Sequence, residues 1–520
     1  MKNSSNPNAV EPLPPYPFFK IIKVARKFDR STGKFTFDVR YKTSVALTRR
    51  TIAVAEAFGL GVDEEQEHVV LDNVELKIGP QDVVLISGDS GSGKSVLLNA
   101  IRADLGNEAA DIGDVHPDPS LPLIETIGQT VEEGLLLLSM VGLNDAFLFL
   151  RTYDQLSDGQ KYRYRLAKLI ESGKQWWVMD EFCATLDRDT AKIIAFNLQK
   201  LARIQGKAVI AATTHQDLLK DLRPDVHVHK RFGKEIAISY LNPNRETTCS
   251  LAGEMYVAEG SRDDWKKLAC FHYRSHKIAM VRKIFKLMRG QELVGVIVYT
   301  HPFAIMYGRR RIFPNMPWRV LDRCLSTISR IVIHPKYRTI GLGARLVRET
   351  MPLCGTPYVE VTAVMAKYNP FFEHAGMRKV CEKKVDLRTQ KVLESLEALG
   401  FCRELMASAR LNLRILESLH PDTIKQVKEL FLSLSDSLIA KDLWPSRPQP
   451  MFIRKPDCDR LIMAASLPQL ARLLHNLAIR NQVKVYLFWI NNALLETKIY
   501  DPIIEKYGGV HSMDVRRKTN

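Results

Sequence analysis

The sequence predicts an α/β chain: a parallel-sheet unit first, an α+β unit second and a mostly helical C-terminal region last. Three observations predict it. Ser87–Ser95 reads SGDSGSGKS between the apolar run Val83–Ile86 and the helix-forming stretch Val96–Ile101, so strand, glycine loop and helix follow in order. Trp176–Met179 is a second apolar run, ending in Asp180-Glu181, and Val209–Ala212 is a third, ending in Thr213-Thr214-His215. Short, wholly apolar runs of this kind are strands covered on both faces of a parallel sheet. Farther on, the alternating run Ser326–Ile333 leads into Arg338-x-x-Gly341-x-Gly343 and a helix from Ala344 to Thr350.

Length and composition bound what such a chain can be. At 520 residues it should hold about three domains. The composition shifts divide it into a β-rich extension (1–64), a parallel-sheet domain (65–240), an α+β domain (250–390) and a mostly helical region (391–520). The 46% apolar content excludes a disordered chain. No run approaches the ~18 apolar residues of a membrane span, and Gly134–Leu143 is the richest. The proline-rich stretch Asn6–Phe19 lacks the charged-then-apolar order of a signal peptide, so a soluble, cytoplasmic protein without a membrane partner is expected. Eight cysteines without a C-x-x-C pair read as reduced core thiols. His272 with His276, and His227 with His229, lack a cysteine or carboxylate partner in register, and no metal is expected there. The net charge of +17 favours polyanionic partners, nucleic acid first.

Taken in order, residues 17–80 alternate short apolar runs with charge (Phe18–Val24, Phe35–Tyr41, Val69–Ile78), the pattern of a small antiparallel sheet. In the glycine loop that follows, Gly88, Gly91 and Gly93 let the backbone N–H groups of Asp89, Ser90 and Ser92 turn inward as an anion nest. The helix behind it adds its positive dipole end. With G-x-x-x-x-G-K-[ST] set between strand and helix, Lys94 would reach β- and γ-phosphates and Ser95 would ligate Mg²⁺. Gly106–Leu123 reads as irregular surface, and Thr130–Leu150 as helix. Leu156–Gln160 (LSDGQ) opens a second helix, Lys161–Ile170, whose start forms an outward-facing anion site. Asp180 can hold Mg²⁺ through water and Glu181 can polarise an attacking water. His215 at the tip of its strand can contact a γ-phosphate.

Together these residues resemble the ABC-class ATPases over roughly residues 65–235. Gly88–Ser95 matches Walker A, LSDGQ the signature, WWVMDE Walker B with its glutamate, ATLD (Ala184–Asp187) the D-loop and His215 the switch histidine. The resemblance implies ATP and Mg²⁺, the metal held by Ser95, Asp180 and the Q-loop residue, for which Gln129 is the candidate. It also implies two copies meeting head to tail, so that Ser157 and Gly159 of one touch the nucleotide of the other, with Gln160 and Asp187 further nucleotide-binding residues. One motif set per chain then means a homodimer or a partner ATPase. The interval from Ser95 to LSDGQ is short for the family, which implies a reduced helical subdomain, and Phe58 is the one upstream candidate for stacking on adenine.

The second domain starts after the linker Asn242–Glu246; Trp265–Arg289 reads as a basic helix and Glu292–Thr300 as a strand. Arg309, Arg310 and Arg311 lie in a Pro/Gly-containing loop, either a phosphate grip or a solvated run. Strand, Arg338-x-x-Gly341-x-Gly343 and helix form a second anion cradle. A strand (Tyr358–Met365) and a short helix (Pro370–His374) follow. Over roughly residues 255–385 this resembles the GNAT acyltransferases, whose loop of this type holds the pyrophosphate of acetyl-CoA. The resemblance implies acetyl-CoA on Ile333, Arg338, Gly341, Gly343 and Ala344. Where the family's tyrosine protonates the leaving thiolate, this chain has Phe372, which cannot donate; Tyr368 is the substitute candidate, and water is the alternative. Glu360 and His334 are candidate bases, with Tyr273 a third.

Residues 391–520 carry apolar stripes (Ile424, Val427, Phe431, Leu434, Leu438; Leu470, Leu473, Leu474, Leu477) and a strand-like run, Val483–Ile490. Packing and dimerisation are the expected roles. The leading reading is a dimeric ATPase gating a CoA-dependent acyltransferase whose acceptor is open: nucleic acid (DNA or tRNA), a protein or a small amine. The other is an ATP-driven clamp on nucleic acid or a protein, its second domain sensing CoA or docking a partner.

Overall fold

A computed structural model of the protein describes residues 19–43, 48–59, 67–242, 248–272, 277–278, 280–314, 316–364, 366, 369–382, 387–434, 443, 454–480 and 484–495. Two compact units are present. One comprises the described residues up to Lys277, Phe285–Val296 and Ile331–Leu346; the other comprises Ile278–Ile284, Ile297–Arg330 and the described residues from Val347 onward.

In the first unit, β1 (Phe19–Asp29), β2 (Lys34–Thr43) and β3 (Glu67–Lys77) make the expected antiparallel sheet in the order β1-β2-β3. A six-stranded sheet follows, built from β4 (Val83–Ser87), β5 (Ala109–Asp111), β6 (Trp176–Met179), β7 (Ala208–Thr213), β8 (Val226–Lys230) and β9 (Ile236–Tyr240). Its order is β5-β6-β7-β4-β8-β9, parallel except for the β8–β9 pair. Successive side chains of a strand face opposite sides, and both sides are covered here. Val83 and Leu85 join Trp177, Met179, Val209 and Ala211 under the helices Asp158–Glu171 and Arg188–Gln205. Val84 and Ile86 join Val178 and Ile210 on the other face, against the helix Lys94–Leu105 and Phe35, Phe37, Leu71 and Leu76 of β2 and β3. Each of these wholly buried aliphatic side chains contributes about 1.5–3 kcal/mol. The expected boundary at residue 64 therefore cuts through one core: β2 and β3 close a face of the parallel sheet.

A seven-stranded sheet consists of β10 (Met255–Glu259), β11 (Val281–Arg289), β12 (Glu292–Thr300), β13 (Leu325–Ile333), β14 (Tyr358–Ala363), β15 (Arg378–Glu382) and β16 (Val485–Ile490). Its order is β10-β11-β12-β13-β14-β16-β15. Two expectations are corrected here. Residues 281–289, read as helix, are a strand pairing antiparallel with β10 from Met255↔Arg289 to Glu259↔Phe285; among the described residues of the stretch, α-helix covers Arg262–Leu268 and a 3-10 turn Ala269–Phe271. The helical region is not a terminal domain. It is inserted before β16, which pairs antiparallel with both β14 and β15. The inserted helices (Leu387–Ala398, Ala409–Ser418, Pro421–Leu432, Lys455–Met463, Leu467–Arg480) share their own core, with Leu396, Leu416, Val427, Phe431, Ile462, Leu470 and Leu474 buried. Leu438 lies outside the described residues.

Candidate nucleotide site

The order of the six-stranded sheet sets the C-terminal ends of β4, β7 and β6 side by side, so the glycine loop, His215 and the Asp180-Glu181 pair share one edge. Gly88 (φ 142°) leaves β4 so close to β8 that a Cβ would stand 2.0 Å from the Lys230 carbonyl oxygen. At Gly93 (φ 99°) a Cβ would meet Val70 Cγ1 at 2.6 Å. Only glycine fits either place. Lys94 is buried, and its Nζ donates to the carbonyls of Gly88 (2.9 Å) and Asp89 (2.6 Å). Burial pushes this ammonium's pKa down, while the charges of Asp180, Asp89 and Glu181 oppose the shift. Walker A and the strand-end carboxylates are therefore within electrostatic reach of each other. Ser92 Oγ is buried inside the loop without a hydrogen-bond partner, an orphan that a phosphate oxygen would satisfy.

Glu181 holds a left-handed conformation (φ 48°), its N–H donates to Asp180 Oδ1 at 2.9 Å, and Phe182 N donates to the Ala212 carbonyl at 2.7 Å. A non-glycine residue at positive φ costs of order 1–3 kcal/mol, here in a turn that presents an exposed carboxylate beside the loop. His215 is half-buried, with its N–H on Thr213 Oγ1 at 3.2 Å. Burial and the nearby Arg188 lower its pKa; Asp217, paired with Arg188, opposes them. The hydroxyl of exposed Ser95 and the carboxylate of Asp180 are hard oxygen donors that fit Mg²⁺. Among the described residues no group of three or more His, Cys, Asp or Glu converges on a metal.

The signature segment lies open. Ser157 and Asp158 are exposed, and Ser157 caps the helix Asp158–Glu171 through a reciprocal pair: Gln160 N to Ser157 Oγ (3.4 Å) and Ser157 N to Gln160 Oε1 (3.0 Å). A Cβ on Gly159 would sit 3.2 Å from Leu186 Cδ2, so the signature packs directly on the D-loop. Asp187 caps the helix Arg188–Gln205 by accepting from Thr190 N (3.2 Å) and Thr190 Oγ1 (2.6 Å). Gln129 lies in an exposed turn before the helix Val131–Met140, with its N–H on Glu133 Oε2. The helical stretch expected over 130–150 breaks at Gly142 (φ 78°) and resumes only at Ala146–Phe149, which leaves a small helical subdomain.

The second glycine loop is differently engaged. Ile333 ends β13, the following helix starts at Leu342, and Gly341 (φ 82°) is exposed with open space around it; Gly343 is half-buried and Ala344 buried in the first turn. Arg338, expected to face a pyrophosphate, instead donates from Nε to the Ile333 carbonyl (2.9 Å) and from Nη1 to the Asn144 carbonyl (2.7 Å). His334 caps the turn Pro335–Tyr337 and meets Phe271 edge-on at 4.9 Å.

In the second unit, Glu360 is wholly buried. It accepts from Arg309 Nε (3.0 Å), Arg309 Nη2, Thr327 Oγ1 (2.7 Å) and Tyr486 OH (3.0 Å). That overturns two expectations: Glu360 has no face open to an acceptor amine, and Arg309 starts a short helix pointing inward, leaving Arg310 and Arg311 exposed. Phe372 is a core residue whose ring lies tilted against Phe371, with centroids 4.1 Å apart. Tyr368 and Tyr273 lie outside the described residues. Sequence reasoning passed over the half-exposed imidazole of His301, whose Nδ1 lies 2.8 Å from Asp322 Oδ1 and 3.2 Å from Arg282 Nη2. Only the contact between residues 21 positions apart exposes it, and no local pattern marks it. Sequence reasoning also passed over the Lys336, Arg289 and Asp189 ion pairs.

No family model matches the chain. It is 33% identical over 174 residues to the cytochrome c biogenesis ATP-binding export protein CcmA of Gluconobacter oxydans, spanning 30% of this chain and 78% of that protein. It is 26% identical over 253 residues to the phosphonates import ATP-binding protein PhnC 1 of Cupriavidus metallidurans, spanning 39% of this chain and 87% of that one. Among solved structures, a dimeric ATP-binding cassette bound to ADP and Pi aligns with 34% of the chain at 22% identity and a TM-score of 0.30. With the glycine loop, the strand-end carboxylates, the open signature and the switch histidine in one domain and in family order, the chain belongs to the ABC-class ATPases.

Proposed function

We propose that the chain hydrolyses MgATP as a homodimer and uses the cycle to control acyl transfer from acetyl-CoA in its C-terminal half. The observation that carries the ATPase reading is the convergence of buried Lys94, orphaned Ser92 Oγ and the Asp180-Glu181 turn on one sheet edge. In this reading Lys94 and the loop N–H groups hold the phosphates, Ser95 and Asp180 hold Mg²⁺, Glu181 orients the attacking water and His215 meets the γ-phosphate. The exposed Ser157 end of the signature helix supports a second copy closing over the nucleotide, as in the family. No described helix is long and apolar enough to cross a membrane.

The acyl-transfer reading is supported by the strand–glycine loop–helix at residues 325–350 and by the pairing of β13 with β14. That parallel pairing covers only Leu325↔Tyr358 to Thr327↔Glu360. With Arg338 engaged within the chain, the CoA pyrophosphate would rest on the N–H groups around Gly341 and Gly343. An amine would attack the thioester carbonyl, forming a C–N and breaking a C–S bond, and its proton would pass to water, because Glu360 is enclosed. Water would protonate the thiolate. The exposed Arg310 and Arg311 favour a nucleic-acid acceptor. The engaged Arg338 and the core position of Phe372 favour the second reading, CoA sensing or docking without transfer.

Incubation of the full chain with ATP, labelled acetyl-CoA and a cell extract split into nucleic-acid and protein fractions tests both. Label in neither fraction, with intact ATPase activity, would leave the second reading. Equal labelling with ATP, without ATP and in Glu181→Gln would remove the coupling.

A further inference from the structure

Four consecutive residues of the loop after β13 make side-chain contacts within the first unit, and one of them, Lys336, reaches the D-loop residue Asp187. Lys336 Nζ stands 2.7 Å from Asp189 Oδ2 and 3.4 Å from Oδ1 of the D-loop carboxylate Asp187. Buried Tyr337 donates its hydroxyl to Glu292 Oε2 (2.7 Å), with Asp189 Oδ2 3.3 Å from the same oxygen, which accepts from Arg289 Nη1 at 3.3 Å. Arg338 Nη1 reaches the Asn144 carbonyl at 2.7 Å, and Asn197 Nδ2 donates to Thr339 Oγ1 at 2.7 Å. Arg289 completes the lattice, 2.9 Å from Asp189 Oδ2 and 2.6 Å from Glu254 Oε2. Thr339 takes a left-handed conformation (φ 76°) in this stretch, an uncommon state for a β-branched residue that the flanking contacts hold in place.

The D-loop carboxylate is thus fixed from two sides. Thr190 holds it as a helix cap, and Lys336 holds it from a loop outside the cassette motifs. Side chains linked in one half-buried ion-pair lattice move together or break it. The same loop continues into Arg338-x-x-Gly341-x-Gly343.

We propose that Lys336 is a positioning residue for ATP hydrolysis, setting the D-loop through Asp187 and Asp189, and that it transmits occupancy of the Gly341–Gly343 cradle to the ATPase cycle. The first half stands on the ion pairs alone; the second rests on the CoA reading of the cradle. By reciprocity, nucleotide in the cassette changes affinity at the cradle by the factor that the cradle's ligand changes nucleotide affinity.

The test uses the full chain and steady-state ATPase kinetics with and without coenzyme A. In Lys336→Met, kcat falls on the order of tenfold while KM for ATP stays within about twofold, because the D-loop is misplaced and the phosphate loop is not. Lys336→Arg recovers most of the loss. Lys266→Met, which removes an exposed pair with Asp263 elsewhere, leaves kcat unchanged. Asp189→Asn removes the same ion pair from the other side with little change of shape, so it probes the contact even where the lysine variant folds poorly. Parental kcat in both Lys336→Met and Asp189→Asn overturns the positioning role. Coenzyme A shifts kcat in the parent and not in Lys336→Met; a shift of equal size in both overturns the transmission. Absence of coenzyme A binding to the parent by calorimetry sinks the CoA reading and the transmission with it, while the kcat loss in Lys336→Met still stands on its own.

Discussion

Replacing Arg309 with methionine should destabilise the second unit far more than its place in a run of three arginines implies. The guanidinium is almost fully enclosed and gives Nε and Nη2 to the two oxygens of Glu360, which is 0% exposed. Methionine fills much of the same volume but leaves the carboxylate with only the Thr327 and Tyr486 hydroxyls as donors. Removing one partner of a buried pair costs about 3–5 kcal/mol, since the other charge stays in a poorly solvating site. For a unit of this size that corresponds to a fall of roughly 6–20 °C in Tm. Arg310→Met, one residue along and exposed, should stay within about 0.5 kcal/mol of the parent. The double variant Arg309→Met/Glu360→Met should recover much of the loss, because no charge is then stranded. Thermal melts followed by circular dichroism on the parent and these variants decide the matter. An Arg309→Met protein melting within about 2 °C of the parent (~0.5 kcal/mol) would show that the pair carries no such cost, and would make Glu360 available as a base again.

Gly88→Ala should abolish ATP binding, since its Cβ would stand 2.0 Å from a backbone oxygen that cannot retreat; fluorescent-nucleotide titration reads this directly. Glu181→Gln should retain ATP binding and lose phosphate release by at least ~10²-fold, with dimer accumulating on a sizing column in ATP. The pKa of His215 lies below its ordinary value of 6.5 because burial and Arg188 disfavour the cation, so the neutral imidazole persists as pH falls and the acid limb of kcat lies below pH 6.5. Arg188→Met removes a like charge and unpairs Asp217, so the limb should move to higher pH; a limb that stays put or moves down would break the assignment. Phe488→Ala should cost about 3–5 kcal/mol in chemical denaturation, because its ring meets Tyr358 at 5.5 Å and Phe313 at 5.6 Å inside the sheet core.

What could be read from the sequence was what short stretches decide for themselves. The phosphate loop, both strand-end motifs and the capped signature helix each follow from fewer than about fifteen neighbouring residues, and each stands where expected. The strand 281–289 did not show itself because Arg282, Lys283, Lys286 and Arg289 blur its alternation, and only pairing with β10 fixes its state. The last strand of the second sheet is legible as a strand in Val483–Ile490, but its place in the sheet is not: its neighbour β14 lies more than a hundred residues earlier, beyond the inserted helices. Glu360 looked available for the same reason. Its partner Arg309 is 51 positions away, and nothing in the run Tyr358–Ala363 distinguishes a paired carboxylate from a free one.

The two glycine loops show why a local motif fixes geometry without fixing chemistry. Both join a strand to a helix through glycine at positive φ: Gly88, Gly91 and Gly93 in the first, Gly341 in the second. In the first, the buried hydroxyl of Ser92 has no partner and Lys94 bonds only to carbonyls of its own loop, contacts that a phosphate can replace at little cost. In the second, the guanidinium of Arg338 is fastened to carbonyls on both sides, and pulling it toward a ligand would break bonds to Ile333 and Asn144. An anion at that loop therefore gains N–H donors and the helix end but not a free cation. Arg338 is thus spent on fastening the loop to the carbonyls of Ile333 and Asn144, so the same arginine and glycine spacing that suggests a free cation supplies a brace.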